Sequence, residues 1–458
     1  MPISRVLIAN RGEIAVRVIR AADALGIETV LAVSDADRES LAARMAGRAI
    51  CIGPASAAAS YLNVGAVLTA AKAAGADAIH PGYGFLAESP DLADACAENR
   101  IKLVGPSAAH MRQMGRKIEA RALAAKCGVP TLPGSERIAS ADAAANIADR
   151  IGLPVMLKAA SGGGGRGMKI VTEAAQLAAV FVAAAAEARA AFGDGALYLE
   201  RYIANARHIE VQVLGDAQGN VIHLGERDCS TQRRHQKVIE EAPAPGISDQ
   251  LREAIQGAAV RLARAIGYEN AGTVEFIVDQ DEGEFYFLEM NTRIQVEHPV
   301  TEMITGIDIV QEQFRIAGGA PMDIVQEDVK IIGHAIECRI NAEIPSKDFR
   351  PCPGVITAWR PPQGPGICLD SHCYEGYTVP IFYDSLLAKL IVTGPDRAAA
   401  LAAMAAALDR FRIAGIGTTM AFVRHAINDP DFIAGKVNTA LVDRLIGEMT
   451  AAGPATIS

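Results

Sequence analysis

The chain has 458 residues, half of them apolar but only 5% aromatic, which at about 150 residues per domain makes room for roughly three domains with aliphatic, alanine-rich cores. Its 53 acidic and 44 basic residues leave a net charge of −9, a balance that excludes a basic nucleic-acid-binding face, while the apolar content excludes disorder as the main state. The longest apolar run, Leu177 to Ala186, stops at Glu187, short of the roughly 20 residues that cross a membrane, so no membrane partner is expected.

In chain order, Met1-Pro2-Ile3-Ser4-Arg5 runs straight into strand-like Val6-Leu7-Ile8-Ala9 with no signal-peptide pattern, and the expectation is a cytoplasmic, unprocessed chain. From residue 1 to about 113, short apolar runs (6–9, 29–33, 78–80 and 102–104) alternate with helical stretches, the pattern of a parallel α/β domain. The turn after the first run, Asn10-Arg11-Gly12-Glu13, lacks the three glycines of a dinucleotide-binding fingerprint. Residues 114 to about 205 place helical segments around a strand, glycine loop and strand unit, and 207 to about 300 read as antiparallel strands with one long helix near Ser248 to Gly267. From about 330 to 446, strands at His334 to Ile340 and Leu386 to Val392 precede a helix from Asp396 to Phe411. The tail after Gly447 is small and polar and is expected to fray. Eight cysteines are scattered without a Cys-x-x-Cys, so reduced thiols are expected rather than a zinc ribbon or a disulfide framework.

Four segments carry chemistry. Ser161-Gly162-Gly163-Gly164-Gly165-Arg166-Gly167 joins two strand-like runs, Pro154 to Leu157 and Met168 to Val171. It reads as a hairpin flap whose bare backbone approaches phosphates, with Lys158 beneath it, or else as an exposed turn. In Glu289-Met290-Asn291-Thr292-Arg293-Ile294-Gln295-Val296-Glu297, an extended chain sets Glu289, Asn291, Arg293, Gln295 and Glu297 on one face and Met290, Ile294 and Val296 on the other. The apolar strand Phe285 to Leu288 before it and Glu275 across the hairpin at 281–283 suggest two carboxylates and an amide that suit Mg²⁺ beside a nucleotide, against a solvated salt-bridged face. The mixed-charge run Glu226 to Lys237 reads on its own as a solvated loop, though Gln232, His235 and Lys237 could reach a nucleotide. Arg339, late in the apolar strand from His334, is either functional or a structural partner of Glu337 or Glu343.

These blocks, with Ile8 to Ala15, His80 to Glu88 and Glu337 to Ala342, together resemble the biotin carboxylase family over about residues 3 to 446, in the right order. The resemblance implies a mixed α/β and α+β chain of the ATP-grasp fold. Its parts would be a pre-ATP-grasp parallel α/β domain at 1–113, an ATP-grasp domain at 114–330 with its lid at about 130–205, a C-terminal biotin carboxylase domain at 331–446 and a flexible tail at 447–458. It assigns ATP to Lys117, Lys158, Gly164, Gly165, Glu200, Arg201, Tyr202, Ile203, His208, Gln232 and His235, and two Mg²⁺ or Mn²⁺ sites to Glu275, Glu289 and Asn291. Bicarbonate would lie among Lys237, Arg293, Gln295 and Val296 with Glu297 as its base, and Arg339 and Tyr83 would face biotin.

The activity so implied is ATP-dependent formation of carboxyphosphate and carboxylation of biotin, the first half-reaction of acetyl-CoA carboxylase in fatty acid synthesis. No Ala-Met-Lys-Met biotinyl motif occurs, so biotin is expected on a separate biotin carboxyl carrier protein, beside carboxyltransferase subunits, with a homodimer implied by the family. Two other readings stay open: the ATP-grasp subunit of a pyruvate, 2-oxoacid or propionyl-CoA carboxylase, and a non-enzymatic ATP-binding scaffold. Arg116 before Lys117 and Ile344 after Glu343 depart from the family pattern.

Overall fold

A computed structural model describes residues 2–138, 140–160 and 168–452. The N-terminal apolar runs form a parallel sheet of β1 (Arg5–Ile8), β2 (Glu28–Ser34), β3 (Arg48–Gly53), β4 (Ala78–His80) and β5 (Lys102–Leu103), in the order β3-β2-β1-β4-β5. Val6, Leu7 and Ile8 are fully buried, as expected of a parallel strand covered on both faces. β3 carries no clear sequence signal, because it is a half-exposed edge in which Arg48, Ala49 and Cys51 face solvent. β1 lies between β2 and β4, so the strand order reverses there, and the loops leaving β1 and β4 open a crevice at the carboxyl ends of the strands. The Asn10 amide donates to the carbonyls of Pro81 and Tyr83, both at 2.7 Å, and so fixes one loop against the other.

A second, antiparallel sheet contains β6 (Val155–Ala159), β7 (Met168–Val171) and β8 (Leu197–Arg201), with β6 in the middle. Lys158 faces Met168 across β6 and β7, so the arms of the expected glycine flap are present. Its tip, with Gly164 and Gly165, lies outside the described residues. Among the described residues, one helical stretch, Ala174–Ala191, is long and apolar enough by length and composition to cross a membrane, which the count of uninterrupted apolar residues did not suggest. Leu177, Phe181, Ala184 and Ala188 pack one face of it onto this sheet.

The third sheet has eight strands. They are β9 (Ala206–Gly215), β10 (Val221–Arg233), β11 (Gln236–Ala242), β12 (Asn270–Asp279), β13 (Glu284–Asn291), β14 (His334–Asn341), β15 (Ile367–Ser371) and β16 (Leu386–Gly394). Their order is β13-β12-β9-β10-β11-β14-β16-β15, so one sheet runs from the middle of the chain into its last third through the β11–β14 pair. On β9, Ile209, Val211 and Val213 pack against Ile255, Ala258 and Leu262 of the helix Asp249–Ala265, which leaves His208, Glu210 and Gln212 on the opposite face.

The charged run 226–237 is therefore not a solvated loop. It is the β10–β11 hairpin at the sheet centre, with Glu226 to Gln232 buried and only the turn residues Arg234 and His235 in left-handed conformation (φ 47° and 66°). Local charge density misleads here because the charges neutralise one another inside the fold. All eight cysteines are free, four of them buried.

The chain enters β14 through Gly333, whose φ is +73° and where a Cβ would fall 2.3 Å from the Gly394 carbonyl oxygen. We expect Gly333→Ala to lower stability by about 1–3 kcal/mol, read as a lower denaturation midpoint. An unchanged midpoint would show that the entry into β14 has slack.

Candidate active site

The three bodies enclose a cavity of about 1140 Å³, larger than most single-ligand pockets and sufficient for a nucleotide with further small molecules. At its floor, the Lys237 ammonium contacts three carboxylates: Glu210 at 2.6 Å, Glu275 at 3.1 Å and Glu297 at 2.5 Å. The second oxygen of Glu297 takes a hydrogen bond from Arg339 at 2.8 Å, and Arg339 also pairs with Glu240 at 2.5 Å. Arg227, fully buried, backs Glu210 at 2.5 Å. Glu210, Glu240 and Glu297 are wholly inaccessible, and such carboxylates persist only when paired.

The electrostatics follow from this packing. Burial alone would raise the Glu297 carboxyl, but Lys237, Arg339 and Arg227 hold it well below its ordinary range. Glu275 is likewise pulled down against burial by Lys237 and His208, whose Nε2 lies 3.0 Å from it. Burial pushes the Glu240 carboxyl up to about 7 despite the attraction of Arg339. The site thus holds an ionised acceptor, Glu297, between two cations.

Away from the floor, Glu275 and Glu289 face each other across β12 and β13. The Asn291 and Gln295 amides donate to Glu275 at 2.9 and 3.1 Å, while Glu289 pairs with Lys117 at 3.0 Å. Two carboxylates and an amide oxygen at a cavity wall form a hard donor set of the kind that holds Mg²⁺ beside phosphates. Lys158 pairs with Glu200 at 2.6 Å. At the opposite end the Tyr83 hydroxyl hydrogen-bonds to Glu13.

Among the residues named from sequence, Lys117, Lys158, Arg201, Tyr202, Ile203, His208, Gln232, His235, Glu275, Glu289 and Asn291 line this one cavity, as do Lys237, Arg293, Gln295, Val296, Glu297, Arg339 and Tyr83. Glu200 does not line it. It sits behind the wall and clamps Lys158 and, at 3.0 Å, Arg121. Arg201 is turned toward Glu282, 2.6 Å away on the β12–β13 turn.

The extended reading of 289–297 fails beyond Asn291, where the strand ends. Thr292 N donates to Glu88 at 3.0 Å, the chain bends, and a helix starts at His298. The residues share the cavity because the chain curls around it, and Val296, assigned to the other face, lines it too. Arg339 pairs with neither Glu337 nor Glu343, since the β11–β14 pairing brings Glu240 beside it instead. Arg116, exposed, pairs with Glu119.

Sequence reasoning missed Glu210, Arg227, Glu240 and Glu88. The alternation His208-Ile209-Glu210-Val211-Gln212-Val213 carried the signal for Glu210. Glu88, 3.0 Å from Arg293 Nε, carries no such local signal.

Family models match in three consecutive blocks: "Biotin carboxylase, N-terminal domain" over 2–111, "Carbamoyl-phosphate synthase L chain, ATP binding domain" over 116–325 and "Biotin carboxylase C-terminal domain" over 337–444. A biotin carboxylase of Nostoc sp. is 50% identical over 446 residues, covering 97% of this chain and all of that one. The chain belongs to the biotin carboxylase family. A pyruvate carboxylase subunit of Methanothermobacter thermautotrophicus is 51% identical, covering 96% of this chain and 89% of that one. Among solved structures, the biotin carboxylase β,γ-ATP complex from Campylobacter jejuni superposes with a TM-score of 0.94 at 49% identity, over 96% of this chain and 99% of that one. The biotin carboxylase domain dimer of Hydrogenobacter thermophilus 2-oxoglutarate carboxylase, bound to MgADP, ADP and bicarbonate, gives 0.93 at 46% identity, over 97% and 99%. The fold expected from the resemblance is therefore the one found.

Because Glu240 is raised from its ordinary value near 4.5 to about 7, the folded chain holds a proton there that the unfolded chain has released, and this stability is lost as pH rises toward 7. Glu240→Gln removes the loss, so its melting temperature relative to wild type should rise between about pH 5 and about pH 8. A flat or falling difference would contradict the assignment.

Proposed function

We propose that the chain carboxylates biotin on a separate biotin carboxyl carrier protein, using ATP and bicarbonate, as the first half-reaction of acetyl-CoA carboxylase in fatty acid synthesis. We further propose a cytoplasmic homodimer working with carboxyltransferase subunits, its 1–113, 114–330 and 331–446 segments acting as pre-ATP-grasp, ATP-grasp and C-terminal units. The observation that carries the reading is the ionised Glu297 set between Lys237 and Arg339 in the cavity that also presents Lys117 and Lys158. A phosphate-binding end and an anion-binding end with a built-in base share one space.

The chemistry follows from these groups. Lys117, Lys158 and the glycine flap would hold the ATP phosphates, with Tyr202, Ile203, His208, Gln232 and His235 toward the nucleoside. Glu275, Glu289 and Asn291 fit Mg²⁺ or Mn²⁺, which when bound would neutralise phosphate charge. Bicarbonate is a poor nucleophile until its proton is withdrawn. Held by Arg293, Lys237, Gln295 and Val296, it would give that proton to Glu297 while one of its oxygens attacks the γ-phosphorus, releasing ADP and forming carboxyphosphate. Carboxyphosphate then breaks its C–O bond to CO₂ and phosphate, and the phosphate takes the N1′ proton of biotin. Arg339 would stabilise the charge that develops on the ureido oxygen as N1′ attacks CO₂, with Tyr83 against the ring. Closure of the 130–205 lid would exclude the water that destroys carboxyphosphate.

A second reading keeps the half-reaction and changes the final acceptor to a 2-oxoacid. It is supported by the relatives named for pyruvate and 2-oxoglutarate carboxylation at 51% and 46% identity. The partner chain separates the two readings. A scaffold without activity is disfavoured by the complete set of paired charges.

The purified protein should hydrolyse ATP in a bicarbonate-dependent way that free biotin stimulates; well-folded, Mg²⁺-supplied protein without this activity would overturn the proposal. Glu297→Gln should lower that turnover by about 100-fold or more while leaving ATP binding intact, and a normal rate would remove Glu297 as the base. Arg339→Ser should depress biotin carboxylation far more than ATP affinity. Equal loss of both would make Arg339 structural.

A further inference from the structure

We infer that Lys389 is a positioning residue that locks the bicarbonate end of the cavity to its biotin end, holding the turn that carries Glu297 and, through Glu13, the phenol of Tyr83. The inference rests on the reading of the cavity given above and concerns a residue that does not line it.

Lys389 is wholly buried in the middle of β16, directly opposite Arg339 on β14 and Asp370 on β15. Its ammonium has three donors, and the structure supplies three acceptors from three separate segments. They are the backbone carbonyl of Val296 at 2.9 Å, Asp370 Oδ2 at 3.2 Å and Glu13 Oε1 at 3.3 Å. The first lies in the turn between Gln295 and Glu297. The last is the oxygen that also accepts the Tyr83 hydroxyl, and Glu13 stands at the start of the helix Gly12–Ala24 in the N-terminal body. One cation therefore ties the last third of the chain to both halves of the reaction site.

Two features make this more than packing. A buried ammonium costs several kcal/mol in desolvation and is held only by well-placed partners, at a sheet position whose neighbours Ala388 and Leu390 are apolar core residues. Neither Lys117, Lys158 nor Glu289, at the phosphate end, is among its partners; they are fixed by one another and by Glu200. Removing Lys389 should thus disturb where Glu297 and Tyr83 stand relative to each other and leave nucleotide binding alone.

The test is the ratio of biotin-stimulated to biotin-independent, bicarbonate-dependent ATP hydrolysis in the full chain, which does not depend on the folded fraction, together with ATP affinity by calorimetry. Lys389→Met should cut the biotin-dependent gain in rate by about 100-fold, the scale of an ångström-level misplacement, so that the ratio falls to nearly 1, with unchanged affinity for ATP. If the single variant folds poorly, Lys389→Met with Asp370→Asn removes the cation and a carboxylate partner together. Glu13, which burial pushes up to about 6, then loses both the pull of Lys389 that lowers it and the repulsion of Asp370 that raises it. Stimulated wild type with unstimulated variants that still bind ATP supports the role. Variants that keep the wild-type ratio, or that lose ATP affinity in parallel, overturn it and leave the functional reading standing. Wild type without stimulation overturns the functional reading and this role with it.

Discussion

An ammonium group shared by three carboxylates governs this molecule. Lys237, itself mostly buried at the cavity floor, cannot lose any of Glu210, Glu275 or Glu297 without weakening the pairing that holds this charge out of bulk water. Arg227 and Arg339 extend the same network, and Glu240 completes it with a carboxyl whose ionisation is itself opposed by burial. A surplus of acidic oxygens around few cations keeps the floor rigid and leaves it ready for exchange of partners. On the proposed reading, an incoming anion would take hydrogen bonds from Lys237 and Arg339, which would free Glu297 to behave as a base.

The architecture exists to bring these charges together from distant sequence. His208 and Glu210 come from β9, Arg227 from β10, Lys237 and Glu240 from β11, Glu275 from β12 and Arg339 from β14. Five different strands of one continuous sheet therefore hold the network, and their register fixes its geometry. The β11–β14 pair is decisive because it sets Glu240 across from Glu337 and next to Arg339. The parallel N-terminal domain adds a second wall through Glu13, at the start of its first helix, and Tyr83, in the loop after β4, while Glu88 behind them anchors Arg293.

Much of this was legible in the sequence where a local pattern coincided with a local cause. Apolar runs announced β1, β2 and β4, and polar residues after a very apolar strand announced the 289–297 segment. The same alternation rule then misassigned Val296, because beyond Asn291 the chain is curled and no longer extended. The run 226–237 looked like surface because charge density is read one residue at a time, whereas burial is decided by partners more than ten residues away, such as Glu210 for Arg227. Glu240, one of two adjacent glutamates, and Lys389, an isolated charge in an apolar strand, were invisible for the same reason, since their meaning comes only from cross-strand neighbours. The glycine flap and Gly164 and Gly165 lie outside the described residues.

Oxygen tracing distinguishes attack on the terminal phosphate by bicarbonate from attack by water in this cavity. With ¹⁸O-labelled bicarbonate, ATP and biotin in unlabelled water, one labelled oxygen should appear in the inorganic phosphate released at each turnover. Phosphate that carries only solvent oxygen would mean that water is the nucleophile and that no carboxyphosphate forms in this cavity.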